Sequence, residues 1–244
     1  MKSRAGLAFS LSVAAVALLL SVPSPLWAQA SHSGPELHVG ASAGALWTPN
    51  GLYRWSAVTG GTEDATAGRW GGTTLNSAPD AGFELTARFP ALQMDVGIAA
   101  RRTLGLEGTV IMGAFCTGLC LAVLPPPTQE YAFDADLTRL SVSADVRTFP
   151  SIWRIQPFLT VGGGLKLYRF ETASVPDTLT GPRPQSRDMW MYRLGAGFTV
   201  PLDRVEIVAR VTDYLSDYSA TSRSVTTEPQ HDLGATLGLR YRVW

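Results

Sequence analysis

Cysteine is nearly absent from this chain of 244 residues: Cys116 and Cys120 are its only two. That excludes a disulfide-built scaffold. Two thiols without histidine or carboxylate ligands in Cys116-Thr-Gly-Leu-Cys120 also make a poor metal site, so a small disulfide loop is the expectation. Histidine is as scarce, at three residues, which leaves few acid–base groups near neutral pH. Neither charge sign dominates, with 20 basic and 20 acidic residues, so no basic surface suggests nucleic acid. Glycine is frequent but not periodic, which excludes a collagen-like chain. After residue 30 no apolar run approaches the ~20 residues of a spanning helix.

The one long apolar run lies at the start. Lys2 and Arg4 precede an apolar stretch from Ala5 to Val22, broken by Pro23-Ser-Pro25 and followed by Ala28-Gln-Ala30. Basic start, apolar centre and small-residue end form the pattern of an export signal, with cleavage expected after Ala30 and the bond after Ala28 as second choice. Residues 1–30 are thus read as a signal peptide and 31–244 as one domain. Beyond Lys2 the chain has a single lysine, Lys166; every other basic residue past the signal is an arginine or histidine.

What is present is alternation. In Leu233–Trp244, Leu233, Ala235, Leu237, Leu239, Tyr241 and Val243 alternate with Gly234, Thr236, Gly238, Arg240 and Arg242. A period of two puts these sets on opposite faces of a strand. Seven earlier segments alternate similarly: about 36–47, 80–100, 103–115, 135–149, 155–170, 188–200 and 205–215. Within 80–100 the apolar parity changes at Pro90. One strand with a bulge is the expectation, and two shorter strands with a turn the alternative. Arg101-Arg102 is read as a turn. The connections alternate between long (48–78, 116–134, 171–187, 216–230) and short (101–102, 150–153, 201–204).

Eight apolar-out, polar-in segments with this asymmetry predict an all-β fold: an eight-stranded antiparallel up-and-down transmembrane β-barrel, with short periplasmic turns and long outer loops. Aromatic rings are expected at both interfaces: Trp47, Trp190, Tyr192 and Tyr214 outside, and Phe149, Trp153, Phe198, Tyr241 and Trp244 inside. The polar faces carry Glu84, Arg88, Asp95, Glu107, Arg139, Asp145, Arg147, Lys166, Arg193, Glu206, Arg210, Arg240 and Arg242. On lipid each arginine would cost about 2–4 kcal/mol near the midplane. Inside, they can pair and fill a bore just wide enough for side chains. The core of this network is expected to include Glu84, Arg88, Glu107, Arg139, Lys166, Arg193 and Arg210, with Glu107, Arg193 and Arg210 at mid-height. A soluble binding barrel would reverse the faces.

The signal, the eight segments, the loop asymmetry and the closing Gly238-Leu-Arg-Tyr-Arg-Val-Trp244 resemble the small bacterial outer-membrane β-barrels, such as the OmpA transmembrane domain and the OmpX and OmpW types. Trp244 stands one position out of phase with the outward set. The resemblance implies outer-membrane lipid and lipopolysaccharide as surroundings and barrel-assembly machinery as a partner during insertion. It implies no cofactor. Family members include structural proteins, adhesins, small-solute channels and a few lipid-modifying enzymes. An enzyme would need a base beside a serine and an orienting acid. His231 lies next to Asp232 and in reach of the loop with Ser216 and Ser219, but neighbours on a strand point to opposite faces, so Asp232 cannot orient it. A plugged barrel, non-enzymatic, acting through its loops is the expectation, with a narrow solute channel as alternative. Tyr53, Trp55 and Trp70 in the first long connection are candidate contacts for an extracellular ligand.

N-terminal sequencing of the exported protein should begin at Ser31. A start at Met1 would refute the cleavage.

Overall fold

The computed structural model describes residues 34–52, 54–62, 65–118, 128–147, 154–171, 186–217, 225–226 and 229–243. The signal segment, Tyr53, Cys120, Phe149, Trp153 and Trp244 lie outside them. The elements are β1 (Glu36–Trp47), β2 (Arg54–Thr62), β3 (Ala65–Leu75), β4 (Ala78–Phe89), β5 (Met94–Gly118), β6 (Gln129–Val146), β7 (Gln156–Glu171), β8 (Arg187–Leu202), β9 (Val205–Asp217), β10 (Val225–Thr226) and β11 (Pro229–Arg242).

Eight of these strands close a ring. In order around the wall they are β1, β4, β5, β6, β7, β8, β9 and β11, all antiparallel, and β11 returns to β1. The closing seam pairs His38–Trp47 with Leu233–Arg242, so the first and last strands complete the wall. Closure satisfies the backbone groups that lipid would leave unpaired.

The strand count matches the sequence reading, but one boundary moves. Residues 80–100 are not one bulged strand. Pro90–Leu92 form a single helical turn, Gln93 follows in the left-handed region at φ 50°, and the chain reverses there. Arg101-Arg102 is not a turn; both lie inside β5, which runs unbroken for 25 residues. The parity change at Pro90 therefore marks a hairpin. The bulge sits between Thr103 and Leu106, where Gly105 adopts φ 60°, a conformation open to glycine without the Cβ penalty.

That bulge has a large effect. Below it the odd residues Asp95, Arg101 and Thr103 point inward; above it the even residues Leu106, Val110 and Met112 do. Beyond the bulge β5 continues past the end of β4 and takes β3 as its neighbour, with β2 and β10 outside β3. The stretch 48–78, read from sequence as a loop, is therefore largely a β-hairpin.

The outer wall is apolar through its middle. Phe83 (74 % exposed), Leu237 (61 %), Leu239 and Val211 face outward, while His38, Thr86, Asp95, Arg139 and Arg240 are buried within. Trp47, Trp190 and Tyr192 lie outward toward the long-loop end, and Phe198 and Tyr241 outward toward the short-turn end. Tyr214 departs from its expected girdle position: it points into the bore and is buried. Above the apolar band the outer face carries the pairs Arg102–Asp136 at 2.9 Å and Arg169–Asp188 at 2.8 Å. Higher still, Glu107, Asp134 and Glu171 stand directly abreast on β5, β6 and β7. Exposed pairs of this kind contribute little stability; they mark where hydrocarbon gives way to polar surroundings.

Leu237→Arg should lower barrel stability by about 2–4 kcal/mol in reversible urea unfolding from lipid vesicles, whereas the same change on an inward wall position of a lipid-facing barrel would carry no such midplane cost. A neutral effect at Leu237 would show that this wall does not meet hydrocarbon.

Candidate functional site: the bore and its outer mouth

Inward residues from every wall strand meet in a layered bore. Near the short-turn end, Arg88 donates to both oxygens of Glu206, the Nη2–Oε2 bond being 2.6 Å. Arg88 also donates to Asp95 at 3.2 and 3.3 Å, and Arg147 adds a further bond to Asp95. One step higher, Arg240 engages Glu84, Asp95 and Asp145 together, at 3.3 Å to Asp95 and 3.0 Å to Asp145. Arg210 reaches Glu84 at 3.2 Å and Asp145 at 2.6 Å, and Thr160 completes Asp145 at 2.8 Å. Here the four cations Arg88, Arg147, Arg210 and Arg240 are matched by Glu84, Asp95, Asp145 and Glu206. The bonds span the barrel: β4 to β9, and β11 to β6. A space of about 10 Å³ remains between Glu84, Thr86, Gly97, Ser143, Asp145 and Arg240, room for about one water.

At mid-height Arg101, Arg139 and Lys166 are direct cross-strand neighbours on β5, β6 and β7. Like charges so placed repel. Asp80 lies between the first two, accepting from Arg101 at 2.7 Å and also from Arg139. Arg101 further donates to Ser42 at 2.6 Å. Among the described residues Arg193 donates only to Ser141 at 3.3 Å and Ser143 at 3.1 Å. Tyr214 presents its ring to Arg139, 4.5 Å from the guanidinium carbon, and to Arg193 at 6.0 Å.

Toward the mouth, Lys166 contacts Asp232 at 2.7 Å and donates to Ser216 at 2.8 Å. Asp232 also accepts from Thr48 at 2.7 Å, Gln230 at 3.0 Å and Tyr168 at 3.2 Å. An apolar layer packs around this knot and on toward the long loops: Leu46, Leu52, Leu75, Leu106, Val110, Phe133, Leu137, Met189 and Met191, with Phe170 stacked on Tyr168 at 5.3 Å. Leu52 enters from the β1–β2 connection, its amide donating to Thr73 at 3.1 Å.

Among the expected network residues, Glu84, Arg88, Arg139, Lys166, Arg193 and Arg210 all face the bore and are joined as described. Glu107 does not. It lies above the Gly105 bulge, which turns it outward and leaves it exposed, abreast of Asp134. The sequence reading missed Asp80, Arg101 and Asp232. Each shares parity with residues correctly placed inside: Asp80 with Glu84, Arg101 with Asp95, Asp232 with Arg240. It also missed the apolar mouth; on β5 the same bulge reverses the faces and brings Leu106 and Val110 inward.

The other assignments fall at the loop end. Trp70 is partly exposed on β3 and covers Gly113 across the strand pair so closely that a Cβ there would meet its ring at 2.7 Å. Trp55 pairs through its backbone with Gly71 and Val225. Tyr53 lies outside the described residues, as does Cys120, so the Cys116–Cys120 pairing is not defined; the backbone of Cys116 is in β5, opposite Ala67. His231 faces outward and bonds Asp213 at 2.8 Å, whereas Ser216 faces inward, so this histidine and serine lie on opposite sides of the wall. Among the described residues no group of three or more metal-ligating side chains comes together.

Arg240→Ala leaves Arg210 as the one cation bonded to Glu84 and Asp145 among the described residues and takes one of three arginines from Asp95, so the network carries one buried negative charge in excess. It should destabilise the refolded barrel by about 3–5 kcal/mol in urea unfolding, and the charge-matched change to apolar residues at Arg240, Arg210, Glu84 and Asp145 together should recover much of that loss. An Arg240→Ala barrel as stable as the parent would remove the network from the account.

No protein-family model and no curated protein matches the sequence. Among solved structures the chain is similar to Neisserial surface protein A, at 13 % identity and TM-score 0.43, covering 86 % of this chain and 99 % of that one. It is similar to Ail, the attachment invasion locus protein of Yersinia pestis, solved in complex with the heparin analogue sucrose octasulfate, at 13 % identity and TM-score 0.39, over 85 % and 99 %. It is also similar to the outer membrane protease OmpT from Escherichia coli, at 12 % identity and TM-score 0.43, over 87 % and 99 %. On its own geometry, with a closed eight-strand wall, an apolar exterior and ionised groups within, the chain has the fold of a small transmembrane β-barrel.

Proposed function

We propose that this outer-membrane barrel has a closed bore and works through its long-loop end, as a structural or surface-interaction protein and not as an enzyme. The observation that carries the reading is the stacking inside the wall: a charge-matched network spanning the bore, and an apolar layer above it. An ion moving through would have to break buried pairs, at about 3–5 kcal/mol for each charge left alone, and then cross the apolar layer.

The absence of catalysis has its own support. Among the described residues the one serine–lysine contact, Ser216 with Lys166, has both side chains buried in the bore, where a substrate would not reach them. Contact with a ligand falls instead to the loop end. There the β2–β3 hairpin extends β5 beyond the barrel, and Trp70 offers a partly exposed ring on a paired strand. Outer-membrane lipid and lipopolysaccharide would surround the wall. The charged pairs Arg102–Asp136 and Arg169–Asp188 stand where polar headgroups would meet it. Barrel-assembly machinery would insert the chain.

Purified protein reconstituted in planar bilayers should give no steady single-channel steps, while the Arg240→Ala barrel, with its network broken, should show intermittent ones. Sustained conductance by the unaltered protein would replace this reading with a solute channel.

A further inference from the structure

The charges of the bore do not cancel evenly along its height. The lower network is matched, and Lys166 is matched by Asp232. Between them lie Arg101, Arg139 and Arg193, with Asp80 their only carboxylate partner among the described residues. The excess of two positive charges is therefore confined to one layer.

The same layer holds donors that the protein does not use. Arg101 Nη2, Arg139 Nε and Nη1, and Arg193 Nε are buried and meet no hydrogen-bond acceptor among the described residues. All three side chains are at least nine-tenths buried. Below them Glu84 and Asp145 are already engaged by Arg210 and Arg240. A buried guanidinium donor without an acceptor is costly, and two of the three arginines, Arg139 and Arg193, stand against the same Tyr214 ring.

We infer that the layer formed by Arg101, Arg139, Arg193 and Tyr214 binds one small monovalent anion of halide size, taken up as the barrel closes. A guanidinium lacks any acceptor of its own, so only an anion or a lone-pair donor can satisfy these groups. A larger anion does not suit a bore packed this tightly, and the site is buried, with Tyr214 part of the apolar cluster that fills the bore toward the long loops. The inference does not depend on the loop reading above; it would stand in a channel as well.

The test is refolding from denaturant in sodium bromide, followed by crystallography with bromide anomalous scattering. The unaltered barrel should show one anomalous peak within contact of Arg139 and Arg193. Arg193→Gln should lose the peak, and Arg193→Lys should keep it. In solution, the unfolding midpoint of the unaltered barrel should be higher in bromide than in gluconate at equal ionic strength, and Arg193→Gln should lose that difference. Water alone in the layer would overturn the inference. So would bromide found only on the outer surface, or a tyrosinate absorbance near neutral pH that disappears in Tyr214→Phe, since Tyr214 would then supply the negative charge.

Discussion

Ionised side chains in this barrel have hydrocarbon outside the wall and little water inside it, so they must solvate one another. The lower network meets that constraint by sharing. Asp95 takes bonds from Arg88, Arg147 and Arg240, and Asp145 from Arg210, Arg240 and Thr160. A single pair would leave lone pairs and protons unmet, and desolvation would exceed the attraction. The preference for arginine follows from the same need. Its planar fork reaches two carboxylates at once, as Arg240 does between Glu84 and Asp145, where an ammonium would act as a point charge. The one inward lysine sits where one carboxylate and one hydroxyl suffice.

These bonds also tie walls that share no backbone ladder. Arg88 to Glu206 and Arg210 to Glu84 join β4 with β9, and Arg240 to Asp145 joins β11 with β6. Neighbouring strands are held by main-chain hydrogen bonds in any closed sheet. Cross-bore contacts add resistance to flattening, which the ladders alone do not provide.

The strand number, the asymmetry of the connections and most inward charges were legible in the sequence because each rests on a period of two that holds along a strand. What failed rests on where that period breaks. Pro90 and Gly105 both reset the parity, one as a turn and one as a bulge, and alternation alone does not tell them apart. Placing the turn at Arg101-Arg102 kept the count of strands while hiding Arg101 in a connection. Reading 103–115 as unbroken put Glu107 inside and Leu106 outside, the reverse of their places. Tyr214 was assigned by its height and residue type, although its parity matches Arg210 and Thr212, which face the bore. The β2–β3 hairpin left little trace, since Gly- and Thr-rich strands standing clear of the membrane need no apolar face.

The bulge at Gly105 also explains why one strand can serve two environments. Up to Thr103, β5 meets lipid on one side, so its outward residues Val96, Ile98 and Ala100 are apolar and its inward residues are polar. Past the bulge the strand has left the hydrocarbon, and both of its faces would meet water. The only dry place there is the mouth of the bore, and Leu106 and Val110 fill it with Phe133 and Leu137 from β6. Leu46 comes to the same layer from the end of β1, and Leu52 and Leu75 from the connection between β1 and β4. The long connection is therefore anchored at its base by burial and along its length by pairing to β5. A ligand arriving at the loop end would meet a braced sheet seated on a filled bore. Opening a path beneath that sheet would require undoing the contacts that anchor it.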